Sequence, residues 1–548
     1  MKRLILRNIS ALEKLLPDME LNAPEMNSGS ALWNETFSYQ IAMRACLGEG
    51  ISEYMSLEIE SDIKDCIRIY TEDRVPVHFP SYTQNADNGY LSRHPGLFPD
   101  ILKPYQTHAS APTAFYNAVW VDVTPDETVK PGVHEIKIIF KMMGEYWGES
   151  VFHLDVIGAK LPKNGFPYTD WFHSDCIATY YDIDVFSEEH WSWIEKFMRV
   201  ARENGISMLL TPIFTPALDT MVGGERPTVQ LIDVSYENGV YSFDFQKLIR
   251  WMELCRKVGI EYLEMAHLYT QWGAGHAPKI MVKENGKLFR KFGWDTEALG
   301  DEYKAFITQL LPPLKKVLEE NWDKEKVYFH ISDEPSAAHI EHYGEIFRFI
   351  KPLLGDFKQL DAMSDYEMFE KGYIETPVAG SDAAVPFIEN NVENLWVYYC
   401  CGQGRNNLSN RMIAMPSHRT RIMGLQMYKF DIKGFLHWGF NFYYSRMSLH
   451  AIDPYLNNDA DGSFPAGDPF GVYPGKDDVY PSLRLKVFYH GLQDRSAAKL
   501  LESYIGKEAV MQIIEQDGEI SFTEYPLSAG YILKVREQIN QKLKEAIK

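Results

Sequence analysis

An adjacent pair of carboxylates, Asp333 and Glu334, is the strongest candidate for chemistry in this 548-residue sequence. The pair follows the apolar run from Val327 to Ile331, which is typical of a buried strand. Pro335 comes next, and a residue before proline is biased away from helix. We therefore expect both carboxylates on extended backbone at the end of a strand, where they suggest hydrolysis of a glycosidic bond.

Neighbouring carboxylates fit poorly with most glycosidases. There, carboxyl groups on separate strands flank the bond, about 5 Å apart for retention and about 6.5 to 9.5 Å for inversion. An adjacent pair better suits a substrate-assisted reaction, in which the oxygen of a 2-acetamido group on the sugar attacks the anomeric carbon. One carboxylate then polarises the acetamide, and the other protonates the leaving oxygen.

Two alternatives remain open. A retaining or inverting β-glycosidase acting on another sugar would pair Glu334 with a carboxylate from a different strand, such as Asp365 or Asp382. A glycan-binding protein without catalysis would also use the 12 Trp, 32 Tyr and 30 Phe of the chain, because aromatic rings stack on the C–H face of a sugar.

The carboxylate pair needs a scaffold, and the sequence after Pro162 alternates short apolar runs with helical patterns, as parallel strand–helix units do. The candidate strands are Ile177 to Tyr181, Ser207 to Thr211, Tyr262 to Ala266, Val327 to Ile331, Gln359 to Met363, Pro377 to Gly380, Leu395 to Tyr399 and Gly434 to Phe440. They predict an α/β fold, a (β/α)8 TIM-type barrel with its active site at the C-terminal ends of the strands. Insertions with hairpin signals, between Ile213 and Phe243 and between Tyr269 and Phe292, are expected to wall the cleft.

Three domains are predicted. Residues 1–158 carry β-rich runs such as Ala118 to Val123 and His134 to Lys141, separated by turn signals, and read as an antiparallel β-sandwich. Residues 159–504 form the catalytic barrel. Residues 505–548 form a small appendage with two strand-like runs, Val510 to Glu515 and Glu519 to Glu524, before a charged helix.

Charge and composition exclude several partners. Lys and Arg number 55 against 76 Asp and Glu, so the net charge of −21 repels nucleic acids and anionic membranes. Residues 1–21 lack a secretory signal and the six cysteines lack ligand spacing, so we expect a cytoplasmic protein, with Cys400 and Cys401 as packing residues. His339 and His342 have no third ligand nearby, and neither a metal nor a cofactor is predicted. Oligomeric state is left open.

Four segments resemble glycoside hydrolase family 123: residues 170–178 (DWFHSDCIA), 330–335 (HISDEP), 434–439 (GFLHWG) and 467–475 (GDPFGVYPG). Their order and spacing also agree with the family, over roughly residues 160 to 505. The resemblance implies a retaining, exo-acting β-N-acetylgalactosaminidase with a β-sandwich before a catalytic barrel. It also implies an oxazolinium-type intermediate, with the family's catalytic pair at Asp333 and Glu334.

In that mapping Glu334 is the general acid and then the base, so its pKa must be raised toward neutrality. Asp333 is expected to stay ionised, orient the acetamido N–H and stabilise the developing positive charge. Other polar or aromatic residues near strand ends are candidate substrate-binding groups. They are His173, Asp175, His267, Trp272, Trp396, Tyr398, Trp438, Asn441, Asp468 and Tyr473.

Overall fold

The computed structural model describes residues 3–46, 52–84, 86–163 and 165–547. Alternating burial along the strands builds two five-stranded sheets in the first part of the chain. Their strands are β1 (Leu4–Ser10), β2 (Ser28–Trp33), β3 (Phe37–Ala45), β4 (Ser52–Glu60), β5 (Ile67–Val77), β6 (Gly96–Pro104), β7 (Ala109–Pro112), β8 (Asn117–Val123), β9 (Gly132–Met142) and β10 (Glu145–Lys160). The strand orders are β1-β3-β8-β5-β6 and β2-β10-β9-β4-β7.

The two sheets share one apolar core and are called the sandwich below. In this core Tyr39 of β3 stacks on Phe152 of β10 with ring centroids 4.1 Å apart. The predicted strands Ala118 to Val123 and His134 to Lys141 correspond to β8 and β9. Antiparallel pairing dominates as expected, but β2 runs parallel to β10.

A closed barrel of eight parallel strands follows. The remaining strands are β11 (Tyr168–Asp170), β12 (Met208–Thr211), β13 (Asp233–Glu237), β14 (Val240–Asp244), β15 (Tyr262–Met265), β16 (Ile280–Glu284), β17 (Lys287–Phe292), β18 (Val327–Phe329), β19 (Lys358–Met363), β20 (Thr376–Gly380), β21 (Trp396–Tyr398), β22 (Gly434–His437), β23 (Val472–Pro474) and β24 (Val479–Pro481). The barrel order is β11-β12-β15-β18-β19-β20-β21-β22, and β11 pairs with β22 to close it. The mixed α/β fold with a parallel barrel is thus confirmed.

Helices follow every barrel strand. They are α1 (Ser174–Tyr181), α2 (Glu188–Glu203), α3 (Gln246–Val258), α4 (Asp301–Asn321), α5 (Ile340–Leu354), α6 (Tyr366–Glu370), α7 (Val385–Glu389), α8 (Ser417–Arg421), α9 (Met423–Lys429), α10 (Leu483–Ile505), α11 (Lys507–Ile514) and α12 (Ala529–Ala546). Among the residues described, no helix is both long and apolar enough to cross a membrane.

The first predicted barrel strand is wrong. Ile177 to Tyr181 belongs to α1, and the first strand is instead β11, which has only three residues. A short apolar run does not distinguish a strand from the buried face of a helix, because both expose few polar residues. The other predicted strands coincide with or overlap β12, β15 and β18–β22.

Both insertions form the expected hairpins, β13–β14 and β16–β17, and these pair into one four-stranded sheet. Their turns contain Asn238-Gly239 and Asn285-Gly286, all four residues with positive φ, as tight hairpin turns require.

The C-terminal region is helical, so its two predicted strands are wrong. Val510 and Ile514 are the buried residues of α11, and their spacing of four is that of a helix face. Residues 519–524 form no strand. Helix α12 packs against the sandwich, where Arg536 donates to Glu35 and Asn540 Nδ2 donates to Ser30 Oγ at 2.9 Å.

Helices α9 and α10 cross closely at two glycines, which gives the first prediction. A Cβ on Gly424 would lie 1.8 Å from the carbonyl oxygen of Gly491. Because backbone must then move, we expect Gly424→Ala to lower the thermal midpoint by about 3 to 6 °C. Gly530→Ala in α12 is the matched control, since its nearest neighbour is Ser528 Oγ at 3.4 Å. Equal midpoints for both variants would contradict the close crossing.

Candidate active site

A pocket of about 190 Å³ lies where the barrel strands end at their C-terminal side. It is lined by Trp171, Leu218, Asp219, Gln271, Trp272, Asp333, Glu334, Ala362, Tyr398, Cys400, Cys401, Leu436, Trp438, Arg446, Met447 and Phe464. Other cavities are larger, including one of about 470 Å³ between the sandwich and α12. The smaller pocket is the candidate site because it contains the adjacent carboxylates at the mouth of the barrel.

The backbone of Glu334 differs from the expectation. Its φ is +44°, in the left-handed region, and not extended. Its N–H donates to the carbonyl of Ala362, at 3.1 Å, and the N–H of Trp272 donates to the carbonyl of Asp333, at 2.8 Å. Successive side chains on an extended strand point to opposite faces. The left-handed turn breaks this alternation, and both carboxylates reach the same pocket.

Tyr398 holds Glu334. Its hydroxyl donates to Glu334 Oε1 at 2.7 Å, and Ser364 Oγ lies 3.4 Å from the same hydroxyl. Burial raises the pKa of Tyr398 well above its usual value, and the carboxylate of Glu334 raises it further. The hydroxyl therefore remains a donor throughout the range in which proteins fold.

Burial raises the pKa of Asp333 well above its usual range, and the neighbouring Glu334 raises it further. Two neighbouring carboxyl groups that line one pocket disfavour a double negative charge. The pair therefore favours sharing one negative charge, and the expected ionisation of Asp333 stays a prediction. The role of Glu334 as the general acid also stays a prediction.

Beneath the pair lies a buried charged cluster that the sequence analysis missed. His330 contacts Glu264 of β15 through Nε2 and Asp361 of β19 through Nδ1, and all three side chains are fully buried. Trp171 Nε1 donates to Glu264 Oε1 at 2.8 Å. A signal existed, because Glu264 and Asp361 are charged residues with apolar neighbours on both sides in predicted strands.

Asp219 was also missed. It lies at φ +41° in the insertion after β12, and Met447 N–H donates to its Oδ2 at 2.9 Å. Burial raises the pKa of Asp219 to about 6, although the Met447 N–H opposes the shift. The loops of the two insertions thus line the pocket with residues such as Asp219 and Gln271. None of the described residues of the hairpins β13–β14 and β16–β17 lines it.

Three predicted binding residues line the pocket: Trp272, Tyr398 and Trp438. Trp272 is 43% exposed at the rim. Trp438 Nε1 donates to Asp468 Oδ2 at 2.9 Å, so Asp468, itself buried, fixes the indole from behind. Cys400 and Cys401, predicted as packing residues, also line the pocket.

His173, Asp175 and Asn441 lie one layer behind the pocket lining, which corrects the prediction of direct contact. His173 Nε2 donates to the carbonyl of Trp438 at 3.0 Å, and Asn441 Nδ2 donates to the carbonyl of His173 at 3.0 Å. Asp175 accepts two hydrogen bonds from Arg226, both at 2.7 Å. Burial lowers the pKa of His173 to about 4, and the charge of Arg226 contributes to the shift. The imidazole is therefore neutral, and its Nε2–H positions the backbone of Trp438.

His267, Trp396 and Tyr473 are further corrections. His267 is buried and stacks on His330, with ring centroids 4.1 Å apart. The rings of Trp396 in β21 and Tyr328 in β18 pack together with centroids 5.3 Å apart. Because β18 and β21 are not neighbours in the barrel, this contact crosses its interior. Tyr473 donates to Asp100 of the sandwich. These residues were predicted to bind substrate because they lie in or after barrel strands. His267 and Trp396 instead pack inside the barrel, and Tyr473 contacts the sandwich.

The two alternative acids, Asp365 and Asp382, have hydrogen-bond partners of their own. Asp365 accepts from the N–H of Ala337 and Asp382 accepts from Gln403 Nε2, both at 2.8 Å, and both lie outside the pocket lining. Within the part of the chain that the structure describes, no group of three or more His, Cys, Asp or Glu residues could hold a metal ion.

Comparisons with known proteins find similar glycoside hydrolases. Residues 171–501 match the family model "Glycoside hydrolase 123, catalytic domain". A family 123 glycoside hydrolase from Clostridium perfringens, described in a study of glycolipid glycan hydrolysis, is similar in structure with a TM-score of 0.74. The two share 16% identity over 99% of each chain. A family 39 glycoside hydrolase from Bacteroides cellulosilyticus covers 88% of this chain and 83% of its own, at 11% identity and a TM-score of 0.34. No curated protein matches the sequence.

The match covers more than half of the chain, including the strand-end carboxylates and the pocket around them. The chain belongs to glycoside hydrolase family 123.

Proposed function

We propose that this chain releases terminal β-linked N-acetylgalactosamine from glycans or glycoconjugates, with retention, by a substrate-assisted mechanism. The main support for the proposal is the left-handed backbone conformation of Glu334, which directs two adjacent carboxylates toward one pocket. A glycosidase with this arrangement has its acid beside the scissile bond and needs a nucleophile from elsewhere. The acetamido oxygen of the substrate supplies it.

In the first step the acetamido oxygen bonds to the anomeric carbon, and the bond to the leaving oxygen breaks. Glu334 gives its proton to that oxygen. Because Tyr398 donates to Oε1 of Glu334, the transferable proton belongs on Oε2. In the second step Glu334 takes a proton from water, which attacks the anomeric carbon and reopens the ring to the acetamide.

Asp333 accepts the acetamido N–H in both steps. Its pKa is raised by burial and by Glu334, but the positive charge that develops on the bicyclic intermediate favours its ionised form. Asp333 therefore binds the intermediate more strongly than the neutral substrate, which is what accelerates a reaction.

The remaining pocket groups fit a sugar ring. The Trp438 indole, fixed by Asp468 and His173, offers an apolar face for its C–H groups. The half-buried Asp219 offers a carboxylate oxygen to a hydroxyl. The glycolipid glycans named for the Clostridium perfringens relative support a glycoconjugate as the substrate.

Asp219 also supports a second candidate function. Since it reaches the pocket from the loop after β12 while Glu334 follows β18, the two offer carboxylates from separate strands, as a conventional β-glycosidase requires. That enzyme would act on a sugar without the acetamide.

Removing either member of the pair gives the second prediction. We expect Glu334→Gln and Asp333→Asn each to lower kcat on an aryl β-N-acetylgalactosaminide by about 10²- to 10⁴-fold, with thermal midpoints unchanged. Asp365→Asn and Asp382→Asn are matched controls, since both carboxylates end strands outside the pocket lining. Azide should restore turnover of a Glu334 variant only with an activated leaving group. Near-normal kcat in either pair variant would end the proposal, as would glycan binding without product release.

Substrate comparison gives the third prediction. We expect kcat/KM for an aryl β-galactoside to be at least about 10³-fold below that of its 2-acetamido counterpart, because only the latter carries the nucleophile. Proton NMR of the first-formed product should show the β-anomer. Equal turnover of both substrates, together with a loss of kcat in Asp219→Asn as severe as in Glu334→Gln, would favour the conventional glycosidase.

The pKa of Asp219 gives the fourth prediction. Ionised above pH 6 and protonated below it, this carboxyl is a strong acceptor only at the higher pH. We expect KM to rise about tenfold between pH 7 and pH 5, and to be about tenfold higher at pH 7 in Asp219→Asn. The variant-to-parent ratio of KM should therefore fall toward one as pH decreases. A constant ratio would show that Asp219 does not contact the sugar.

A further inference from the structure

His330 lies between two carboxylates directly below the reacting pair. Its Nδ1 is 3.0 Å from Asp361 Oδ1, and its Nε2 contacts Glu264 Oε1. All three side chains are fully buried. The residue is three positions before Asp333, and the proposed chemistry does not use it.

The two contacts favour two protons on the ring, because the contacting oxygens already accept other hydrogen bonds. Trp171 Nε1 donates to Glu264 Oε1, and the N–H groups of Ile331 and Ser332 donate to Asp361 Oδ1. A neutral imidazole has one N–H, so facing a second carboxylate it would set a lone pair against an oxygen lone pair. The imidazolium satisfies both. Burial opposes the charge, but the hydrogen bonds to Asp361 and Glu264 outweigh it and raise the pKa of His330 to about 9.

The neighbouring imidazole is the neutral partner of this charge. His267 stacks on His330 with an interplanar angle of 19°, and neither of its ring nitrogens has a hydrogen-bond partner among the described residues. Burial lowers the pKa of His267 well below its usual value, and the positive charge of His330 lowers it further. Two stacked imidazoles at this distance do not both carry a charge.

Asp361 connects the imidazolium to the catalytic backbone. The Oδ1 atom that contacts His330 also accepts from the N–H of Ile331 at 3.0 Å and of Ser332 at 3.2 Å. Its Oδ2 accepts from Tyr343 and from Gln359 Nε2. The segment that leads into Asp333 therefore keeps its path only while Asp361 stays in place, and His330 holds Asp361.

We propose that His330 is a positioning residue, whose buried imidazolium fixes Asp361 and the backbone before Asp333 and sets the pH range in which the pair works. The kinetic part rests on the proposed function. His330 favours the ionised form of Asp333, whereas Glu264 and Asp361 oppose it. The titratable groups around this centre are Glu264, His267, Asp333, Glu334, Tyr343, Asp361 and Tyr398.

The test compares pH profiles of kcat/KM on the aryl 2-acetamido substrate. In His330→Gln the acid limb should move to higher pH by about one unit, since the loss of a positive charge disfavours ionised Asp333. In Glu264→Gln the loss of a negative charge should move the same limb to lower pH. KM on the plateau should stay within about twofold in both variants, because neither residue lines the pocket.

His267→Gln is the matched control, since it alters a buried imidazole on the same ring stack without removing a charge. Its profile should stay in place. Equal shifts in His267→Gln and His330→Gln, or a uniform loss of activity at all pH values, would overturn the proposal. If His330→Gln does not fold, the Glu264→Gln shift decides alone, and a shift to higher pH there would overturn it.

Ring nitrogen NMR separates this inference from the proposed function. In ¹⁵N-histidine-labelled protein at pH 7, both nitrogens of His330 should show imidazolium shifts, assigned by their loss in His330→Gln or through a Glu264→Gln shift change. A neutral tautomer would overturn the proposal. Absence of turnover in the parent enzyme would end the proposed function and leave this measurement unaffected.

Discussion

Two consecutive side chains must face one pocket, and an extended strand does not allow this. The chain meets the constraint with one left-handed residue, Glu334, at a position before proline where right-handed helix is disfavoured. A non-glycine residue in this region is strained, so the surrounding contacts must hold it. The Glu334 N–H is satisfied by Ala362 and the Asp333 carbonyl by Trp272, and the neighbouring strand and loop thus fix the turn. The position of the pocket follows from that turn.

The second constraint is electrostatic. Charges below the surface are costly unless they are paired, and the barrel interior contains two clusters in which fully buried carboxylates contact a cation. One is Glu264–His330–Asp361, and the other pairs Asp170 with Arg411, whose Nη2 also donates to His437 Nδ1 at 2.7 Å. Each cation lies between acceptors on different strands. The clusters therefore link the strand ends to one another through directed hydrogen bonds.

The sequence predicted the parts of the fold and site that local patterns determine. Apolar runs predicted β12, β15 and β18–β22. Position at or after the end of a strand predicted Trp272, Tyr398 and Trp438, which line the pocket. The same criterion, position near a strand end, also predicted His173, Asp175 and Asn441. Position along the chain does not distinguish a residue that lines a pocket from one that lies a layer behind it. Asp219 had no local signal, since it reaches the pocket through the path of a long insertion. The left-handed turn at Glu334 depends on partners distant in sequence, so proline alone suggested extended backbone.

The sandwich contributes to the site although its residues lie outside the pocket lining. Asp100 of β6 accepts from Arg484 Nε at 2.7 Å and Nη2 at 2.9 Å, and this pair is fully buried. The same guanidinium donates to the carbonyls of Gly467 at 2.8 Å and Phe470 at 3.0 Å, on either side of Asp468. Asp468 in turn fixes the Trp438 indole. Without Asp100 the arginine would be a buried charge without its counterion, and the loop that carries Asp468 would lose its anchor. The orientation of an aromatic wall of the pocket thus depends on a carboxylate from the other half of the molecule.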